Sequence, residues 1–332
     1  MGNTKNFQSL LGIGIFASLL ALISSIYGFV NTTTVTPSSP KFASVAATSK
    51  DYQTFAQVPN VPEGLFYYSG STTFASMRFT NLVSAINQAH PRFRLRYAEK
   101  IGSEPSTTDN VKMLLAGEIS FVQSARSLNS NELSAANERG IVLEEIPIAI
   151  DGVVFYVNPQ VKVAGLTLAQ LKDIFTGKIT NWKSLGGEDL PITPFSRNPN
   201  ISATASFVQE QVLASSFSKI QIVENTTEAI RKVATTPGGI SYATASQVKG
   251  QQTILPLALA RFDGEAFIPP FCNNKLVNHY AFTNNSYPLT RKLFVVIKRG
   301  SIDEQAGLTY ANLLLTDEGQ RALVEAGFAP IR

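Results

Sequence analysis

Leu65-Phe66-Tyr67-Tyr68-Ser69-Gly70-Ser71-Thr72-Thr73-Phe74 is the stretch from which the architecture is read. Leu65 to Tyr68 is apolar and aromatic and reads as a short strand. Five small polar residues follow, and then Phe74, Met77, Phe79, Leu82, Val83 and Ile86 recur at helical spacing. A strand, a Ser/Thr/Gly loop and a helix in that order form the repeating unit of an α/β sheet.

The unit recurs along the chain. Phe93 to Ala98 reads as a strand, followed by a loop with Ser103, Ser106, Thr107 and Thr108 and a helix beginning around Val111 to Leu115. Ile119 to Val122 is a further strand, ending in Ser124-Ala125-Arg126. Pro191 to Phe195 ends in Ser196-Arg197, and Ser202-Ala203-Thr204 then precedes a helix from Phe207. Ile146 to Pro159 is a long apolar strand interrupted only by Asp151-Gly152, long enough to cross between two lobes. Thr167 caps a helix that runs to Phe175 and is closed by Gly177. Leu293 to Ile297 is a returning strand, and Tyr310 to Ala326 reads as one closing helix. The fold class expected is α/β, two-lobed.

Loops of this composition at helix starts have a physical consequence. The first N–H groups of a helix lack intrahelical partners and sit at the positive end of its dipole, so together with nearby hydroxyls they attract an anion. A single such loop is explained equally well by ordinary N-capping. Arg126 and Arg197 add weight, because each lies at or just past a strand end, where ligands collect in open α/β sheets. A guanidinium fork grips two oxyanion oxygens at once; the alternative for either arginine is a surface ion pair.

Composition narrows the function. The chain has 332 residues, 44% hydrophobic and 16% charged, with a net charge of +4. That length suits two lobes with cores of their own. No Lys/Arg block marks a nucleic-acid track. Lys5 precedes an uncharged run from Leu10 to Val30, which reads as an export signal or a membrane anchor, and the Thr/Ser/Pro-rich segment up to Pro62 reads as an extended tether. Cys272 is the sole cysteine, so neither an internal disulfide nor a cysteine-based zinc cluster is available. Ser216-Phe217-Ser218-Lys219 fits S-x-x-K without its companion motifs, His90 and His279 lack metal-ligand spacing, and there is no G-x-S-x-G elbow or P-loop. No catalytic residue, metal or cofactor is expected, and Trp182 is assigned to the core.

Leu168-Ala169-Gln170-Leu171-Lys172-Asp173-Ile174-Phe175-Thr176-Gly177-Lys178-Ile179-Thr180-Asn181-Trp182 resembles the L-x-x-I-F-x-G-K-I-x-x-W signature of periplasmic phosphate-binding proteins, the receptors of ABC-type phosphate importers. Ser69 to Phe74, Ser124 to Leu128, Asp151-Gly152-Val153, Pro237 to Tyr242 and Tyr287-Pro288-Leu289 support the resemblance, which covers Leu65 to Arg332. It implies a type II, venus-flytrap fold: residues 1–31 a signal peptide or N-terminal membrane anchor, 32–62 a tether, 63–150 the first part of lobe I, 151–286 lobe II, and 287–332 the return into lobe I. Carried over position by position, it implies ligand contacts at Thr73, Phe74, Thr107, Thr108, Ser124, Arg197, Ser202, Ala203 and Thr204, where Ala203 replaces the family's glycine. Arg126 joins them from its place beside Ser124. The acids that the family often sets after the serine and after the arginine are replaced by Ala125 and Asn198, so weaker rejection of sulfate is expected, with Asp109 or a carbonyl as the substitute acceptor. The resemblance further implies inorganic phosphate as ligand, permease subunits of an ABC importer as partners, a monomer, and a periplasmic or extracytoplasmic location with membrane contact through the N-terminal segment. The second reading is a membrane-tethered oxyanion sensor or a sulfate-type anion receptor.

Overall fold

A computed structural model of the chain describes residues 52–99, 106–272 and 276–332, all within one compact unit, Ala46–Arg332. The apolar leader, the tether as far as residue 51, and Ser103 lie outside the described residues.

The first lobe begins with β1 (Gly64–Gly70), a 3-10 segment over Thr72–Phe79, α1 (Leu82–Ala89), β2 (Phe93–Tyr97), α2 (Thr107–Ala116), β3 (Phe121–Ser124) and α3 (Ser130–Asn137). The single helix expected after Thr73 is therefore two pieces. β4 (Leu143–Val157) then leads into the second lobe: β5 (Leu166–Thr167), α4 (Leu168–Phe175), β6 (Thr193–Ser196), α5 (Ala203–Val208), β7 (Gln221–Ile222), α6 (Thr226–Thr235), β8 (Gly239–Thr244), α7 (Ala245–Val248), β9 (Leu255–Pro256), β10 (Leu259–Ala260) and α8 (His279–Thr283). The chain returns through β11 (Thr290–Lys298), α9 (Glu304–Leu315) and α10 (Asp317–Glu325).

Strand order in the large sheet is β2-β1-β3-β11-β4-β8-β6-β7. Residues 143–152 of β4 pair antiparallel with β11, and Val153 to Val157 pair antiparallel with β8, so one strand serves both lobes and changes partner at Asp151-Gly152-Val153. Gly152 is required there by space: a Cβ would collide with the Phe282 ring.

Alternation along the strands explains the covered sheet in the first lobe. Phe121, Leu293, Val295 and Ile297 face one core with Phe93 and Tyr310, while Val122 and Val296 face the other with Val111 and Leu114. The second lobe packs around Phe155, Leu171, Phe175, Trp182 and Tyr242. Trp182 is wholly buried, and its indole N–H donates to the Gly238 carbonyl at 3.0 Å, which satisfies the one polar atom its burial carries. Thr167 and Gln170 form a capping box at α4, and Gly177 turns the chain with φ +77°.

Two further helix expectations are corrected. The closing helix breaks at Thr316, which has extended backbone and accepts from the Gly319 N–H, starting a second helix as its N-cap. The helix expected from Phe207 begins at Ala203, capped by Ser202, and ends in a π turn over Gln209–Leu213. Among the described residues no helix is long and apolar enough to cross a membrane.

Candidate functional site

The strand ends that the sequence singles out converge on the junction of the lobes. Thr72 and Thr73 follow β1, Thr107 and Thr108 open α2, Arg197 follows β6, Ser202 to Thr204 open α5, and all lie at carboxyl ends of parallel strands or helix starts after them. Arg197 is 8% exposed; its Nη1 donates to Thr72 Oγ1 across the lobes at 3.1 Å and its Nε to the Glu224 carbonyl at 3.2 Å. Gln247 Nε2 reaches the Thr72 carbonyl from the second lobe.

Arg291 is the residue that the sequence reading missed. It lies on β11 opposite Asp151 in register, and both are buried. Arg291 Nε and Nη2 donate to Asp151 Oδ2 at 3.0 and 2.9 Å, while Nη2 also contacts Thr73 Oγ1 at 3.2 Å and Thr204 Oγ1 at 2.9 Å. Burial pushes the Asp151 carboxyl above the ordinary range, and the Arg291 charge with the Thr244 hydroxyl opposes that rise. The guanidinium lies 5.5 Å over the Phe207 ring. Sequence held one signal for it. An aspartate inside an apolar strand needs a partner of opposite charge, and Arg291 stands two residues before the returning strand read at Leu293 to Ile297.

Five buried polar atoms of the first lobe and its return strand have no hydrogen-bond partner among the described residues: Ser71 Oγ, Ser76 Oγ, Thr107 Oγ1, Asn110 Nδ2 and Arg291 Nη1. Leaving such donors unpaired costs roughly 1–3 kcal/mol each, more for a charged one. A fully ionised oxyanion, all acceptors, is the chemical complement of such a set. Thr107 and Arg291 belong to the wall of one cavity of about 770 Å³, shared with Thr108, Ser202 and Ala203.

Other expected site residues are placed differently. Phe74 is in the first-lobe core against Phe328, and its N–H donates to the Ser71 carbonyl, so its side chain anchors the loop. Ser124 is buried and its hydroxyl donates to the Arg126 carbonyl at 2.6 Å. Arg126 lines the cavity, yet its fork holds Glu132, with Nη2 on Oε1 at 2.7 Å and Nη1 on Oε2 at 2.9 Å, and Nη2 also reaches Thr108 Oγ1. Burial alone raises the Glu132 carboxyl, but hydrogen bonds from Arg126 and the Asn129 N–H hold it below the ordinary range. Ala125 is wholly buried in the first-lobe core and Asn198 is exposed. Asp109 accepts from Ser106 Oγ, on the cavity wall, and pairs with Lys112.

This architecture and this set of donors define a two-lobed binding protein with an anion-complementary junction. A family model described as the PBP superfamily domain matches residues 45–318, and the chain belongs to that superfamily. It is similar to the phosphate-binding protein PstS of Staphylococcus epidermidis, 29% identical over 234 residues, 69% of each chain. It is 26% identical over 201 residues to the Bacillus subtilis phosphate-binding protein PstS, covering 59% of this chain and 64% of that one. Among solved structures it resembles a Clostridium perfringens protein assigned as a phosphate ABC transporter substrate-binding protein and solved with phosphate bound, with 25% identity, a TM-score of 0.66, and coverage of 81% of this chain and all of the other.

Proposed function

We propose that this chain is an extracytoplasmic receptor that closes two lobes around inorganic phosphate and delivers it to an ABC-type importer. The observation that carries the reading is the buried Arg291, whose Nη1 has no partner among the described residues, at a junction that also holds Arg197. The relatives named for phosphate binding support the choice of anion. The hydrophobic cores support the two lobes: residues of 63–150 and 287–332 dominate two clusters and residues of 151–286 a third, which Tyr287, Leu289 and Ala329 join. In this reading the receptor is a monomer without catalysis, held at the membrane or exported by its N-terminal segment.

Ligand contacts are assigned to Thr73, Thr107, Arg197, Ser202, Ala203, Thr204 and Arg291, with Phe74, Thr108, Ser124 and Arg126 shaping the loops around them. Selectivity follows from the carboxylates. Both Asp151 oxygens are engaged, one by Arg291 and one by Thr244, and Ala125 offers none. With no carboxylate at position 125, no free oxygen on Asp151, and Glu210 of the cavity wall accepting from Ser206 Oγ, the junction is expected to separate monohydrogen phosphate less sharply from sulfate. One hydrogen bond to a charged group, about 1.5–3 kcal/mol, corresponds to roughly 10- to 150-fold in affinity. Calorimetric titration is expected to show one phosphate per chain, displaced by sulfate at about a hundredfold excess. Failure of phosphate to bind overturns the function; failure of sulfate to displace it at about a thousandfold excess overturns the selectivity argument.

A further inference from the structure

The cavity is much larger than an inorganic oxyanion. Five heavy atoms, at about 30 Å³ each as in liquid water, fill about a fifth of 770 Å³. Pockets of roughly 300–1,000 Å³ are the size that organic ligands occupy. The wall also changes character from inside to outside. Thr107 and Arg291 are buried and carry unpaired donors. Phe207 is half-buried with the Arg291 guanidinium over its ring, and Ile201, Asn131 and Gln211 are exposed residues of the same wall. A bare ion uses none of these outer groups. A carbon skeleton bearing hydroxyls uses all of them, with its C–H faces against Phe207 and Ile201 and its hydroxyls on the two amides.

The charge arrangement agrees. A phosphate monoester, with a second pKa near 6, is mostly a dianion at neutral pH and has no phosphoryl proton to place. The junction has no free carboxylate oxygen at Asp151 and only a buried methyl at Ala125, which suits such an ester.

Resting on the phosphate-receptor reading of this site, we propose that the cavity also takes a phosphate monoester of a polyol or sugar, its phosphoryl group at Arg291 and Thr107 and its hydroxylated portion against Phe207, Ile201, Asn131 and Gln211.

The test is competition calorimetry on the full-length chain in detergent, with glucose 6-phosphate titrated against bound inorganic phosphate. Glucose 6-phosphate is expected to displace phosphate one for one, with an affinity within about tenfold of it. The double variant Asn131→Leu, Gln211→Leu is expected to weaken the ester by about tenfold or more and leave inorganic phosphate unchanged. Phosphate binding with no displacement by a large excess of the ester overturns this proposal alone. Equal weakening of both ligands in the double variant does so as well. Binding of neither ligand overturns the phosphate-receptor reading beneath it.

Discussion

Arg197→Ala is expected to remove phosphate binding from the calorimetric window while leaving a folded protein. The side chain is buried at the lobe junction and tied to Thr72 across it, so truncation removes a cation that a desolvated anion requires. Loss of one partner of a buried charge pair costs roughly 3–5 kcal/mol, or about 150- to 5,000-fold in affinity. The second-lobe core is assembled without this side chain, so the thermal unfolding transition should remain cooperative. Unchanged phosphate affinity would falsify the assignment of Arg197 to the site.

Arg291→Met is expected to damage stability and binding together. Asp151 has no accessible surface and loses its cation in this variant, which costs roughly 3–5 kcal/mol out of a typical 5–15. Burial already pushes this carboxyl up, and without Arg291 nothing cationic opposes the rise. A folded pKa above the unfolded value favours the fold at low pH, and that contribution disappears as pH climbs through the folded pKa. The variant should therefore melt closer to the parent in acid than at neutral pH. Adding Asp151→Asn removes the stranded charge and should restore much of the melting temperature, but not phosphate binding. A single variant as stable as the parent at neutral pH, or a double variant that binds phosphate normally, contradicts the roles given to this pair.

The sequence made the strand ends legible because their chemistry is local. Ser69 to Thr73 and Ser202 to Thr204 declare themselves by composition, and Thr167 with Gln170 spell out a helix start. Arg291 was far less legible, for the opposite reason: its partner is 140 positions away, and only the antiparallel pairing of β4 with β11 brings the two together. Arg126 shows a competition that a strand-end argument cannot decide. Asn129 and Glu132 have capping-box spacing, and the structure shows that the same Glu132 also takes the Arg126 fork. The break at Thr316 was readable in retrospect, since Thr316-Asp317-Glu318 places a cap before two acids in a first helical turn. The apolar continuity from Tyr310 to Ala326 concealed it.

The most direct measurement of the central claim is the position of an anion in crystals grown with arsenate, located by the anomalous scattering of arsenic. The account predicts one strong peak at the lobe junction, with oxygens in hydrogen-bond range, about 2.7–3.2 Å, of Arg197, Arg291 Nη1 and Thr107 Oγ1, and with the Arg126–Glu132 pair intact. A peak seated on Arg126 with Glu132 displaced, or no peak between the lobes under saturating arsenate, would contradict it.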